Sequence, residues 1–159
     1  MKKVGIIMGS DSDLPIIKKC TDMLDSLEIE YTVHVYSAHR TPEQAAAFTK
    51  SAKADGYGVS MAAHLAGAIA ANTTLPVIGI PCKSAALDGM DALLSTVMMP
   101  SGIPVATVAI NGGANAALLA AQILALSDEA LSNRLVEMRE ENTRKVLEKD
   151  EKICKEFSK

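Results

Sequence analysis

The chain has no tryptophan, and its only aromatic residues are Tyr31, Tyr36, Phe48, Tyr57 and Phe157. A flavin or a run of stacked bases needs flat aromatic faces, so neither is well supplied here. Cysteine is equally scarce. Cys20, Cys82 and Cys154 are odd in number, far apart and not in metal-ligand spacing. They read as reduced thiols, with no disulfide framework and no zinc site. Although hydrophobic residues make up 48% of the chain, no uncharged apolar run approaches the ~20 residues of a membrane span. The opening Met1-Lys2-Lys3-Val4 contains no hydrophobic stretch of signal-peptide length, which gives the expectation of a cytoplasmic protein. A net charge of −3 offers no electrostatic basis for general nucleic-acid binding.

What is present is an alternation of apolar runs and helical segments. Lys3 to Met8 (KVGIIM) is an uninterrupted apolar run, as expected of a strand buried on both faces. Further strands are expected at Glu30 to Tyr36, Gly56 to Met61, Pro76 to Ile80 and Val105 to Ile110. Helices are expected from Leu14 to about Leu27, capped by Asp13, and at Pro42 to Ala54, Ala62 to Ala71, Asp88 to Met98 and Asn115 to Leu126. Strand-helix alternation predicts an α/β fold: a three-layer sandwich with a central parallel sheet in flavodoxin-like order. At 159 residues the chain reads as a single domain spanning 1–159. Its last stretch, about 128–159, is densely charged. Leu131, Leu135, Met138, Val146 and Ile153 recur there at roughly helical spacing. This predicts a C-terminal helical arm, either lying on the sheet or packing on a neighbouring subunit. The Met-rich segment Leu93 to Pro100 adds a second apolar patch suited to a subunit contact.

The chemistry concentrates in turns that follow the strands, where open α/β sheets bind ligands. Ser37-Ala38-His39-Arg40-Thr41-Pro42 places an imidazole and a guanidinium on one short turn. The first moves protons near neutral pH and the second grips a phosphate or carboxylate. Thr41 suits an N-cap and Pro42 the first helical position. Met8-Gly9-Ser10-Asp11-Ser12-Asp13 follows strand one with small residues, hydroxyls and carboxylates. Backbone and hydroxyl donors there suit an anion, and a carboxylate can accept from ribose hydroxyls. It is not a GxGxxG sequence, so a dinucleotide site is not indicated. His64, in Met61-Ala62-Ala63-His64-Leu65-Ala66-Gly67, is either a core residue or a third wall of the same crevice. Pro81 to Gly89 adds Ser84 and Asp88 as possible polar groups, whereas His34 lies inside a strand and reads as structural.

Taken together, MGSDSD at Met8 to Asp13, SAHRTP at Ser37 to Pro42 and AAHLAG at Ala62 to Gly67 resemble the PurE-type family of de novo purine synthesis. The resemblance continues through VIGIPCKSAALDGMDALLS from Val77, MPSGIPVATV from Met99 and NGGANAALLAAQIL from Asn111. It implies an N5-carboxyaminoimidazole ribonucleotide mutase, which moves a carboxylate from the exocyclic amine to carbon 4 of an imidazole ribonucleotide. It further implies no metal, no organic cofactor and a homo-octamer. Ser10, Asp13 and Arg40 would hold the ribonucleotide, with Ser12 and Ser37 nearby. His39 would be the catalytic acid/base, and His64 would line the site of CO2 transfer. The related carboxylase branch, which takes free CO2 and aminoimidazole ribonucleotide, carries Lys where this chain has Arg40. Arg40 and the NAALLAAQIL segment therefore favour the mutase. The family's VIIAGAG stretch ahead of AAHL is shortened here, where Gly58-Val59-Ser60 runs directly into Met61-Ala62-Ala63-His64. The shortening implies a weakened third strand, a displaced His64 and, as an alternative, an inactive oligomeric relative. A flavodoxin-type electron carrier and a phosphoacceptor receiver share the fold class. The first lacks its aromatics here. The second lacks an Asp ending strand three and a Lys ending strand five.

Overall fold

The structure is a computed structural model, and it describes residues 2–84 and 87–158. Five parallel strands form one sheet: β1 (Lys3–Met8), β2 (Tyr31–Val35), β3 (Tyr57–Ala63), β4 (Val77–Ile80) and β5 (Ala106–Thr107). Their spatial order is β2-β1-β3-β4-β5, the flavodoxin-like order. The helices are α1 (Leu14–Ser26), α2 (Pro42–Ser51), α3 (Ala66–Ala70), α4 (Met90–Val97), α5 (Gly113–Ala125) and α6 (Glu129–Phe157). A short 3-10 turn, Asp11–Asp13, leads into α1.

Strand parity sorts the side chains into two layers. Val4, Ile6 and Met8 of β1, Val59, Met61 and Ala63 of β3, and Ile78 and Ile80 of β4 share one buried cluster with α1, α5 and the start of α6. Ile7, Ala62 and Val77 face the other way, against Leu65, Ala66 and Ile69, with Phe48 of α2 packed alongside. Helices therefore cover both faces. The apolar runs of β1, β3 and β4 follow from that, because these central strands leave neither face to water.

Two expected elements are corrected. Ala62 and Ala63 do not begin a helix. They extend β3, leaving α3 only five residues. Every residue of β3 is buried, and its backbone pairs with β1 on one side and β4 on the other. From Ser60 to Ala63 the strand is paired on both sides, which satisfies buried N–H and C=O groups that a helix in this position would turn away from both neighbours. The strand thus reaches seven residues by taking in Met61, Ala62 and Ala63. In contrast, β5 is two residues long instead of the six expected at Val105 to Ile110. It lies at the sheet edge with a single, four-residue neighbour. Beyond it only isolated bonds continue, from Val108 N–H to the Gly79 carbonyl and from Asn111 N–H to the Pro81 carbonyl.

The 29-residue α6 is one continuous helix. Asp128 caps it by accepting from the Leu131 N–H at 3.0 Å. Leu131 is fully buried, and Leu135 and Met138 pack on the core. The distal half leaves Val146, Leu147, Ile153 and Phe157 exposed. Among the described residues, no helix is long and apolar enough to cross a membrane.

The contact of α1 with α5 is among the closest in the fold. A Cβ at Gly113 would collide with the Ile16 carbonyl oxygen, and backbone cannot rotate aside as a side chain can. Overpacking of this kind costs about 1–3 kcal/mol. Gly113→Ala is accordingly expected to lower the unfolding free energy by that amount, read as a lower midpoint in heat or urea. An unchanged midpoint would show that the two helices separate freely.

Candidate functional site

Three turns meet at the carboxyl edge of the sheet because β2, β1 and β3 are adjacent and parallel. The turn after β1 is held by its own hydroxyl. Ser10 Oγ accepts from the Ser12 N–H at 3.3 Å and donates to Asp11 Oδ1 at 3.2 Å. Asp13 occupies the N-cap position of α1 but makes no capping bond, contrary to the expectation from sequence. Its carboxylate turns inward, is almost wholly buried, and lies 3.4 Å from His64 Nδ1.

Thr41 likewise does not cap α2 with its side chain. Its hydroxyl accepts from the Ser37 N–H at 2.8 Å and reaches the Ser37 carbonyl at 3.3 Å, which closes the Ser37–Thr41 turn on itself. Ser37 Oγ accepts from the Arg40 N–H at 3.2 Å. Pro42 stands in the first turn of α2, where its missing N–H costs nothing. The result is a rigid turn with His39 and Arg40 both exposed at its tip. Arg40 Nη2 donates to the Gly9 carbonyl at 3.1 Å, so the guanidinium ties the second turn to the first.

His64 supplies the third wall. It opens the turn between β3 and α3, at φ +62°, in the left-handed region that favours glycine. Such backbone persists only where its surroundings enforce it. Here the ladders of β3 end at Ala63 and α3 begins at Ala66, which leaves two residues to turn the chain.

Between these turns lies a cleft of about 300 Å³ lined by Gly9, Ser10, Ser12, Asp13, Ser37, Ala38, His39, His64 and Leu65. Six of the seven residues that the family resemblance assigns to the site (Ser10, Ser12, Asp13, Ser37, His39 and His64) line it. Arg40, the seventh, bridges two of its walls. Ala38 and Leu65 also border a second, mainly apolar cavity of about 220 Å³ beneath α2 and α3. Ser84 and Asp88 do not line the cleft. Ser84 Oγ donates to Asp91 Oδ1 at 2.8 Å, which holds the Asp91 carboxyl below its ordinary range. Asp88 pairs with Lys83 at 2.8 Å. Ala85 and Ala86 lie outside the described residues. His34 stacks on Tyr36 with ring centroids 5.0 Å apart and packs on Phe48, as a structural residue does.

Sequence reading gave Cys82 no role at the site. It follows β4 and is buried, and its Sγ lies with Asp13 and His64 in a group whose ligand-type atoms are all within 4.8 Å of one another. Burial pushes the thiol up to about 12, and the adjacent Asp13 carboxylate acts in the same direction. No spacing in the chain signals this grouping, since Asp13, His64 and Cys82 come from three different strand ends.

With that geometry in place, the comparisons with known proteins are direct. The chain is 51% identical over 149 residues to the N5-carboxyaminoimidazole ribonucleotide mutase of Pyrococcus abyssi, covering 91% of this chain and 86% of that protein. It is 51% identical over 156 residues to the protein of that name from Methanocaldococcus jannaschii, covering 97% and 99% of the two chains. The crystal structure of Treponema denticola PurE superimposes with a TM-score of 0.85 at 32% identity, over 94% of this chain and 96% of that one. The AIR carboxylase family model matches residues 3–145. The chain belongs to the AIR carboxylase family, the PurE-type family that its motifs resemble.

Proposed function

We propose that the chain is an N5-carboxyaminoimidazole ribonucleotide mutase of purine biosynthesis. The observation that carries this reading is the convergence of SDSD, SAHR and His64 on one cleft, with Arg40 bridging its walls. Half identity to proteins of that name over nearly the whole chain supports it.

In this reading the Arg40 guanidinium leaves the Gly9 carbonyl for the substrate phosphate, which it can hold without titrating. Ser10, Ser12 and Ser37 donate to the ribonucleotide, and Asp13 accepts from a ribose hydroxyl. His39 then serves twice. Its protonated form gives a proton to the exocyclic nitrogen as the carbamate C–N bond breaks and CO2 departs. The enamine-like carbon 4 attacks that CO2, and neutral His39 removes the carbon-4 proton, restoring the imidazolium. No net proton is gained or lost, so one imidazole suffices. Freed CO2 has to be held beside carbon 4 between the two steps. Ala38 and Leu65 offer apolar surface for this beside His64.

His39→Asn is expected to fold and still bind the ribonucleotide, while turnover falls by about 10²–10⁴-fold. Conversion of the carbamate to the carbon-4 isomer, measured beside ligand binding, checks this. Substantial turnover in the variant would remove His39 from the role. Arg40→Ala is expected to raise KM by roughly 10–100-fold, the worth of a lost charged hydrogen bond to phosphate, with a smaller effect on kcat. A dephosphorylated substrate analogue should bind the wild type and this variant alike, and a difference would relocate the phosphate contact.

The chain is further read as one α/β domain whose distal arm serves assembly, as a homo-octamer in the cytoplasm. Leu94, Val97 and Met98 around α4 and Val146, Leu147, Ile153 and Phe157 on α6 are exposed apolar groups of the kind that subunit contacts cover. Cys20, Cys82 and Cys154 are free thiols, as in a reducing compartment. Light scattering at micromolar protein is expected to give eight chains per particle. A monomer at that concentration would leave the two patches without this explanation.

A further inference from the structure

Asp13, His64 and Cys82 present a carboxylate oxygen, an imidazole nitrogen and a sulfur at the ends of β1, β3 and β4, three strands that are neighbours in the sheet. The three atoms lie within 4.8 Å of one another, with Asp13 Oδ2 and His64 Nδ1 already 3.4 Å apart. In a tetrahedral zinc site, bonds of about 2.0–2.3 Å place ligand atoms about 3.3–3.8 Å apart. Asp13 and Cys82 are buried in the packed body, so both are fixed in place. The His64 side chain is 42% exposed and is the one of the three with room to adjust. The set mixes thiolate, imidazole and carboxylate, which suits zinc and disfavours magnesium or calcium, whose ligands are oxygens. A buried carboxylate is also costly in an apolar setting, and a dication offsets its charge and that of the thiolate formed on binding.

We propose that Asp13, His64 and Cys82 form a three-ligand site for a thiophilic divalent cation of the zinc class, its open fourth position on the ribonucleotide cleft, so that metal and ribonucleotide compete for Asp13. Binding forms metal–oxygen, metal–nitrogen and metal–sulfur bonds, and the Cys82 thiol releases its proton to solvent. The metal is an inhibitor in this scheme, not a participant in carboxylate transfer. The competition rests on the functional reading above, whereas metal binding itself does not.

The probe is Co²⁺, titrated into the intact reduced protein and then displaced with Zn²⁺. The expected result is one Co²⁺ per chain with a thiolate-to-cobalt charge-transfer band in the near ultraviolet. That band disappears in Cys82→Ser, persists in Cys154→Ser, and requires at least tenfold more Co²⁺ in Asp13→Asn. Absence of stoichiometric binding, or a band that survives in Cys82→Ser, overturns the site. If Cys82→Ser does not fold, X-ray absorption on the zinc-loaded wild type decides. One sulfur at about 2.3 Å upholds the site, and a shell without sulfur refutes it. In turnover assays Zn²⁺ should raise the apparent KM of the wild type and leave Cys82→Ser unaffected. Equal inhibition of both proteins would refute the competition, while a wild type that binds Co²⁺ but never turns over would refute the mutase reading alone.

Discussion

Most of what this molecule does depends on the double ladder of β3. Tyr57–Ala63 is buried throughout and bonded to β1 on one side and β4 on the other. Parallel strands need crossover helices, so both faces are covered and every strand delivers its carboxyl end to the same edge. The cleft is a consequence of that shared edge: the SDSD turn leaves β1, the SAHR turn leaves β2, and His64 leaves β3. None of these turns encloses a pocket alone.

Having drawn Met61, Ala62 and Ala63 into the strand, the fold leaves only His64 and Leu65 to reverse direction before α3. The left-handed backbone of His64 is the local cost of keeping the sheet whole. It also sets the imidazole beside Asp13, and thereby beside Cys82. The sheet is thus unbroken through β3, and the turn that follows it puts one histidine at the cleft.

The hydroxyl and carboxyl groups near the cleft illustrate how tertiary contacts redirect local preferences. Asp13 and Thr41 both stand at N-cap positions, and neither side chain caps. Thr41 instead closes the turn that displays His39 and Arg40, and Asp13 faces inward. Helix starts survive the loss, because Pro15 and Pro42 fill first-turn positions whose N–H groups have no intrahelical partner. Asp13 thus becomes available to the cleft, and Thr41 to the turn beside it.

The sequence by itself determined the strand and helix order, the parallel class of the sheet, and which turns carry imidazole, guanidinium, hydroxyl and carboxylate groups. These follow from periodicity and turn chemistry, which act over a few neighbouring residues. Its motifs further sufficed to point to the family. Tertiary structure alone decided that β3 extends through Ala63, that β5 shrinks to two residues at a poorly paired edge, and that Asp13 abandons its cap. It also placed Cys82, which its spacing from other cysteines had excluded from any metal site, next to Asp13 and His64. Each of these outcomes depends on ladders and packing between segments far apart in the chain, and such contacts leave no trace in local pattern.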